Sequence, residues 1–153
     1  MQQPLTVGDL CTRKTIIAYR KTGLNEAARL MREEHVGSLV VVEETVAGRL
    51  TVGVITDRDI VTAVVARDLD PRTLCVGDVM TADPVTARET DSVLDVLASM
   101  RRKGVRRVPV TDSKGVLLGV IAFDDVLGVV SEQLHALVQA IETEQQREGR
   151  ARP

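Results

Sequence analysis

The spacing of apolar residues switches repeatedly between aliphatic runs typical of strands and the three-to-four spacing of amphipathic helices. In the first half, residues 15–18 predict a short strand, and apolar positions 24, 27, 28 and 31 predict a helix over residues 24–34. Residues 38–42 and 50–55 predict two strands joined as a hairpin, and residues 57–67 a second helix. The expected order is strand, helix, strand, strand, helix.

The same order returns in the second half, because the chain repeats itself. Val7-Gly8-Asp9-Leu10 matches Val76-Gly77-Asp78-Val79 at an offset of 69. Gly53-Val54-Ile55-Thr56-Asp57-Arg58-Asp59 matches Gly119-Val120-Ile121-Ala122-Phe123-Asp124-Asp125 at an offset of 66, which assigns three extra residues to a polar loop over 43–48. The second copy predicts strands at 84–87, 106–111 and 116–122, and helices over 92–103 and from residue 124.

These patterns divide the chain into five segments. They are a first repeat (1–67), a linker containing Pro71 (68–75), a second repeat (76–130), a C-terminal helical extension (131–144) and a polar tail expected to be disordered (145–153). A repeat of about 60 residues buries little core alone, so the two are expected to pack together. The apolar stripe of the extension serves either the protein's own core or a contact with another chain.

Composition narrows the classes of function. With 20 Lys and Arg against 22 Asp and Glu, the formal charge of -2 offers no general attraction for nucleic acid or an anionic membrane. Tyr19 and Phe123 are the only aromatic residues, so platforms for stacking bases are missing. No apolar run approaches the ~20 residues of a membrane span. Cys11 and Cys75 are expected to be buried free thiols in a reducing compartment rather than a disulfide. A soluble cytoplasmic protein is expected.

The sequence contains no recognisable pattern of catalytic or metal-binding residues. His35 and His135 lie far apart in the sequence, without the ligand spacing of a metal site, and are expected at the surface. The acidic pairs Glu33-Glu34 and Asp124-Asp125 are adjacent on predicted helices, so their side chains diverge. No catalytic residue, metal site or enzymatic activity is predicted.

The Val-Gly-Asp-hydrophobic openings and the Gly-hydrophobic-Ile-Thr-x-x-Asp signature resemble the cystathionine-beta-synthase (CBS) domain family, as a tandem pair or Bateman module over residues 7–130. The resemblance implies an α+β fold of two β-α-β-β-α repeats related by a pseudo-twofold axis, with two clefts for adenosine-containing ligands. It also implies a non-catalytic sensor that forms a homodimer and regulates another protein, whose identity the sequence does not give.

The family resemblance assigns a first ligand site. It implies that Thr56 contacts phosphate and Asp59 the ribose hydroxyls, while Arg58 can add charge. The purine would lie in an aliphatic slot of main-chain donors and acceptors formed by Ile17, Ser38, Leu39, Val40 and Val41. AMP, ADP, ATP, NAD and S-adenosylmethionine all present adenosine to such a site, and no cofactor is required.

A second site departs from the family pattern. Ala122 stands where the family has Ser or Thr, whereas Asp125 keeps the position that contacts ribose. Arg106 and Arg107 precede a good match to the central strand motif and could bind phosphate instead. The remaining candidates for this site are Thr86, Val108 and Pro109. Whether it binds a ligand stays open.

Simpler interpretations remain beside these. Thr56-x-x-Asp59 also fits a helix-capping box that needs no ligand. The basic run Arg101-Arg102-Lys103 fits the end of a helix, where positive charge is favourable. A ligand-free scaffold for another protein is therefore the alternative function.

Overall fold

Short helices and paired strands follow one another in nearly the same order in both repeats. The computed structural model describes residues 4–151. The first repeat contains α1 (Val7–Leu10), β1 (Ile17–Ala18), α2 (Leu24–Glu33), β2 (Ser38–Thr45), β3 (Gly48–Thr56) and α3 (Asp57–Ala63). The second contains α4 (Val76–Val79), β4 (Thr81–Ala82), α5 (Val93–Lys103), β5 (Arg107–Thr111), β6 (Leu117–Ala122) and α6 (Phe123–Ala151). Two 3₁₀ turns, Val65–Arg67 and Pro71–Thr73, lie between them.

The first sheet combines three strands of the first repeat with one strand of the second. Its order is β1-β2-β3-β4, with β1 parallel to β2 and the other neighbours antiparallel. β4 belongs to the second repeat and pairs with β3, so that Thr81 lies opposite Val54. The exchange is reciprocal, because Thr12 of the first repeat forms an antiparallel bridge with Val120 in the β5–β6 pair. Each sheet is thus extended by backbone from the other repeat.

Gly53 and Gly119, which open the repeated signature, lie where these exchanged segments cross. A Cβ atom at Gly53 would lie 2.9 Å from the carbonyl oxygen of Thr81, and one at Gly119 would lie 2.6 Å from the carbonyl oxygen of Thr12. Backbone cannot approach a side chain so closely, so only glycine fits at either position. The repeated glycines are therefore explained by packing between the repeats.

The two hydrophobic cores also exchange residues. Val76 of the second repeat packs with Ile55 and other residues of the first repeat. Val7 of the first repeat packs with Ile121 and other residues of the second. Both valines are fully buried. The segments 1–67 and 76–130 therefore describe the repetition of the sequence, whereas each packing unit draws on both.

The hairpins differ in length from the sequence prediction. The polar loop expected at 43–48 is mostly strand, since β2 continues to Thr45 and β3 begins at Gly48, leaving a two-residue turn. Gly48 has a φ of 127°, which favours glycine. The extra residues of the first repeat thus lengthen the arms of the hairpin.

One predicted strand is absent, and one predicted helix is shorter than expected. The strand predicted over 84–87 does not form; only Ala87 makes a parallel bridge, with Val110. Pro84 has no N–H to donate, which limits a ladder at this position. The helix predicted over 57–67 ends at Ala63 and is followed by the turn Val65–Arg67.

The C-terminal helix is longer than predicted. One continuous helix, α6, runs from Phe123 to Ala151, where the sequence predicts disorder from residue 145. Extending an existing helix costs far less than starting one, so polar residues with adequate helix propensity can continue it. All residues from 131 to 151 are exposed. Residues 152 and 153 lie outside the described part of the chain, as do residues 1–3.

Other sequence predictions concern single residues. Cys11 and Cys75 are free thiols, as predicted, although both are half-buried rather than buried. His35 and His135 are exposed, as predicted. Among the helices of residues 4–151, none combines the length and apolar character needed to cross a membrane. Nor does that part of the chain contain three or more His, Cys, Asp or Glu side chains grouped as metal ligands.

Candidate functional site

A cleft of about 800 Å³ lies between the two repeats and draws residues from both. Its volume falls in the range typical of small-molecule sites, ~300–1,000 Å³. The first repeat contributes the start of β2, the end of β3 and the first turn of α3. The second contributes the segment after β4, the end of α5, β5 and the junction of β6 with α6. The residues that line the cleft include Ser38, Thr56, Asp57, Arg58, Asp59, Asp83, Pro84, Val85, Lys103, Arg106, Arg107, Pro109, Ala122 and Asp124.

Thr56 and Asp59 form a complete capping box at the start of α3. The backbone N–H of Thr56 donates to Asp59 Oδ2 at 2.9 Å, and the N–H of Asp59 donates to Thr56 Oγ1 at 3.1 Å. The helix-capping box that the sequence suggested as the alternative to a ligand contact is therefore formed. It leaves a ligand role open, because Asp59 Oδ1 accepts no hydrogen bond within residues 4–151.

The same carboxylate contact recurs at four helix starts. In each, an aspartate accepts the backbone N–H of the residue three positions earlier at 2.9 Å: Thr6 to Asp9, Thr56 to Asp59, Cys75 to Asp78 and Ala122 to Asp125. Of these four aspartates, Asp59 alone lines the cleft. Capping is therefore general in this fold, and position in the cleft is what distinguishes Asp59.

Hydrogen bonds lower the pKa of two of these aspartates, both of which lie outside the cleft. The backbone N–H and hydroxyl of Thr6 lower the pKa of Asp9 below its usual value. The backbone N–H and thiol of Cys75 lower the pKa of Asp78 in the same way. A donated hydrogen bond stabilises the charged carboxylate, so these helix starts depend on ionised aspartates.

Four basic side chains line the cleft: Arg58, Lys103, Arg106 and Arg107. Arg106 Nη2 lies 3.3 Å from Asp124 Oδ1, in an ion pair that is largely exposed. Within residues 4–151, the other three have no salt bridge. Lys103, interpreted from the sequence as a charge that closes a helix, therefore also faces the cleft.

The residues predicted for the first site divide between cleft and core. Thr56, Arg58, Asp59 and Ser38 line the cleft, whereas the four aliphatic residues predicted for the purine slot do not: Ile17, Leu39, Val40 and Val41. Leu39 and Val41 belong to the first hydrophobic core, because alternate side chains of a strand point to opposite faces. Backbone of Ile17 and Val40 pairs within the sheet.

The residues predicted for the second site divide in the same way. Arg106, Arg107 and Pro109 line the cleft, whereas Thr86, Val108 and Asp125 do not. Val108 is fully buried in the second core. Asp125 caps α6 through the N–H of Ala122 at 2.9 Å, and alanine offers no hydroxyl to complete the box.

Several lining residues were not predicted from the sequence. Asp83, Pro84 and Val85 lie after β4, and Asp57 and Asp124 lie at the starts of α3 and α6. The repeat offset of 69 places Pro84 and Val85 at the positions of Thr15 and Ile16, so this segment could have been proposed from the repetition. No local signal marks Asp83, since its position depends on how the repeats meet.

Two repeats that exchange backbone segments around a shared cleft define a tandem-repeat module. The sequence model of the CBS domain matches residues 7–66 and 76–132. The chain therefore belongs to the CBS domain family and carries two CBS domains, as the sequence resemblance implied.

A curated relative extends over most of the chain. The uncharacterized protein MK0525 of Methanopyrus kandleri is 33% identical over 125 residues, which are 82% of this chain and 62% of that protein. This chain thus matches less than two thirds of the length of that relative.

Solved structures of CBS domain pairs share the fold. The CBS domain pair of protein MJ0100, in complex with 5′-methylthioadenosine and S-adenosyl-L-methionine, is 25% identical with a TM-score of 0.75, covering 86% of this chain and 99% of that one. CBSX2 in complex with AMP is 26% identical with a TM-score of 0.71, covering 83% and 97%. The predicted mixed α/β fold of two CBS repeats with a C-terminal helix is confirmed.

Proposed function

We propose that this protein is a regulatory module that binds an adenosine-containing ligand in the cleft between its CBS domains. The observation that carries the proposal is the convergence on one cleft of Asp59 and three basic side chains that form no salt bridge within residues 4–151. A carboxylate suits ribose hydroxyls, and positive side chains suit phosphate.

The hydrogen-bonding atoms and positive charges that line the cleft suit both the ribose and the phosphate of a nucleotide. Asp59 Oδ1 is available to accept hydrogen bonds from the two vicinal ribose hydroxyls while Oδ2 keeps the helix cap. In the described part of the chain, residues 4–151, Arg58, Lys103 and Arg107 have no salt bridge to break before they approach phosphate oxygens. AMP, ADP, ATP and NAD fit this chemistry, and S-adenosylmethionine shares the adenosine part.

The ligands named for related structures support this class of compound. The MJ0100 domain pair was crystallised with 5′-methylthioadenosine and S-adenosyl-L-methionine, and CBSX2 with AMP. All three compounds contain adenosine. They differ in charge beyond the ribose, so they support the nucleoside more than any particular substituent.

We assign the protein no catalytic step. Ligand binding would instead change the shape of the module and pass that change to a regulated partner protein. A cytoplasmic location and the identity of that partner stay predictions. The homodimer that the family resemblance implies stays a prediction as well.

The experiment is a thermal-shift screen against AMP, ADP, ATP, NAD and S-adenosylmethionine, with guanosine nucleotides as controls. A ligand at a hundred times its dissociation constant stabilises the folded state by ~2.7 kcal/mol, which raises the melting temperature by several degrees. A shift with adenosine compounds and none with guanosine compounds is expected. Equal shifts with both sets, or none at millimolar concentration, would contradict the proposal.

The second candidate is a ligand-free interaction scaffold. It is favoured by the capping box, in which Thr56 and Asp59 already satisfy each other, and by the apolar residues exposed along α6. On this hypothesis, none of the compounds shifts the melting temperature, and the substitution Asp59→Asn, which keeps the shape of the side chain but removes its charge, affects only stability.

A further inference from the structure

The charges that line the cleft separate according to the sheet beside which they lie. The side formed by the first sheet and the start of α3, the acidic side, contributes one basic and three acidic residues: Arg58, Asp57, Asp59 and Asp83. Asp83 belongs to this side because it directly follows β4, which pairs with β3. The side formed by β5, β6 and the adjoining ends of α5 and α6, the basic side, contributes three basic residues and one acidic residue: Lys103, Arg106, Arg107 and Asp124. The formal charges of the two sides cancel, but the cleft is negative on one side and positive on the other.

Equivalent cross-strand pairs line the two sides of the cleft with different chemistry. On the acidic side, Ser38 lies opposite Thr56, and both side chains end in a hydroxyl. On the basic side, Arg107 lies opposite Ala122, so a guanidinium and a methyl group replace the two hydroxyls. A guanidinium only donates hydrogen bonds and suits phosphate oxygens, whereas a hydroxyl also accepts hydrogen bonds from a sugar or a base. The two sides therefore suit different parts of a ligand.

A carboxylate suited to ribose lines the cleft on the acidic side only. Asp59 lines the cleft, and its Oδ1 accepts no hydrogen bond within residues 4–151. Its equivalent in the second repeat, Asp125, accepts the backbone N–H of Ala122 at 2.9 Å but does not line the cleft. The acidic residue that does line the basic side, Asp124, is already paired with Arg106. A second nucleoside on the basic side would therefore find no unpaired carboxylate for its ribose among the described residues.

We propose, on the basis of the ligand class proposed above, that the cleft binds one nucleotide whose phosphate chain crosses from the acidic side to Lys103 and Arg107. The ribose lies at Asp59, where its hydroxyls donate to the carboxylate, and the phosphates beyond the first lie on the basic side. These phosphates occupy the side on which a second nucleotide would have to bind, so each chain takes one nucleotide. Because each added phosphate extends further into the basic side, ATP binds more tightly than ADP, and ADP more tightly than AMP.

Two other arrangements satisfy fewer of these observations. Two nucleotides, one for each repeat, would place a ribose beside Arg107 and Ala122, which offer no acceptor to its hydroxyls. A monophosphate held entirely on the acidic side would place its phosphate among three carboxylates with Arg58 as the one basic residue that lines that side within residues 4–151. Like charges at close range oppose binding. A single nucleotide that spans the cleft accounts for the separated charges, the different cross-strand pairs and the position of Asp59 together.

The first test is titration calorimetry of the full chain with AMP, ADP and ATP, in buffer without divalent cations, which measures affinity and stoichiometry together. One ATP per chain is expected, with a dissociation constant at least about tenfold below that of AMP, the equivalent of one additional charged hydrogen bond. Two ATP per chain, or equal dissociation constants for AMP and ATP, would overturn the crossing of the phosphate chain and leave the adenosine-binding function standing. If none of the three compounds binds, both proposals fail.

Neutral variants of the two basic residues test the phosphate contact. Lys103→Gln with Arg107→Gln is expected to weaken the binding of ATP at least about tenfold and to bring the dissociation constants of ATP and AMP close together. Arg102→Gln with Lys114→Gln is the matched control, because it removes the same charge at positions that do not line the cleft, and it should keep the preference for ATP. All four side chains are exposed, so both variants should fold. An equal loss of ATP affinity in the two variants would assign the effect to net charge and overturn the contact.

Inorganic triphosphate tests the acidic side, because it carries the phosphates of ATP without the nucleoside. It is expected to bind at least about tenfold more weakly than ATP, since it lacks the ribose that Asp59 holds. Asp59→Ala should weaken the binding of AMP and ATP by the same factor, because both carry the same ribose. Inorganic triphosphate that binds as tightly as ATP would show that the basic side binds anions without a nucleoside, and would overturn the arrangement.

Discussion

At single residues, the tightest constraints arise where backbone of one repeat crosses a glycine of the other. Gly53 meets the carbonyl of Thr81, and Gly119 meets the carbonyl of Thr12. Neither neighbour is a flexible side chain that could move away. These two glycines thus hold the repeats together at a distance that no other residue allows.

Gly119→Ala is expected to destabilise the protein by about 1–3 kcal/mol, because the added methyl group would lie 2.6 Å from a carbonyl oxygen. Gly128→Ala is the control, since nothing lies within 4 Å of a Cβ there. In the helix α6, that change is expected to stabilise by about 0.5–1 kcal/mol. Urea unfolding at constant m-value measures both; a neutral Gly119→Ala would contradict the steric argument.

Asp59 and Asp9 provide a matched pair that separates capping from ligand binding. Both accept a backbone N–H at 2.9 Å at the start of a short helix, and only Asp59 lines the cleft. Asp59→Ala is expected to weaken binding of an adenosine compound by about ten- to a hundredfold, the equivalent of a charged hydrogen bond. Asp9→Ala should leave the affinity unchanged in titration calorimetry. Equal effects would assign Asp59 a structural role only.

The sequence predicted part of the cleft and missed the rest for identifiable reasons. Repetition of the signature marked residues 53–59, and the family resemblance assigned ligand contacts to Thr56 and Asp59 within it. Leu39 and Val41 were placed in the purine slot although strand alternation directs them to the core. Lys103 was interpreted only as a charge at the end of a helix, because its position in the cleft depends on how the two repeats meet.

At the scale of elements, short helices here depend on carboxylates that cap their first turn. α1 and α4 have four residues each, too few for stability from internal hydrogen bonds alone. Asp9 and Asp78 satisfy backbone donors at their starts. Asp112 does the same in the β5–β6 hairpin, accepting the N–H groups of Lys114 and Val116 at 2.8 and 2.9 Å.

Stability is expected to fall in acid as these groups titrate. Hydrogen bonds lower the folded-state pKa of Asp9, Asp78 and Asp112 below the reference value of 3.8. A lowered folded pKa contributes stability that is complete above the unfolded pKa and is lost as the pH falls through the folded one. The urea midpoint should therefore decrease below pH 3.8. The triple variant with Asn at these positions should show a shallower decrease; an unchanged slope would contradict the assignment.

Element predictions succeeded where the periodicity was long and failed at irregular segments. The apolar face predicted for α2 is the observed one, through Leu24, Ala27 and Met31. The strand predicted at 84–87 is absent because Pro84 lacks a donor, and β4 lies just before it. The end of α6 was missed since its polar residues have no apolar period, although they can extend a helix already formed.

For the whole molecule, the exchange of Val7 and Val76 makes the two repeats one cooperative unit. Each core includes a fully buried valine encoded in the other repeat. Scanning calorimetry is expected to show a single transition with equal calorimetric and van't Hoff enthalpies. Two resolved transitions would show that the repeats unfold separately.

The presence of two similar repeats that pack together was predicted from the matched order of elements, whereas the exchange of segments was not. Thr12 pairs with Val120, and Val54 with Thr81, and neither pairing leaves a mark in the residues next to it in the sequence. Each exchanged segment follows its Val-Gly-Asp opening. The repetition therefore indicated where these segments lie in the sequence, but not which strands they pair with.

The exchange also orders events during synthesis. Val7 emerges from the ribosome early, but Val126, which belongs to the same core, is translated 119 residues later. At ~5–20 residues per second, the segment Val7–Leu10 waits roughly 6–24 s for its packing partners. Val76, by contrast, completes the first core soon after that core is made. The segment Val7–Leu10 is therefore expected to remain without its native packing partners for longer than Val76 does.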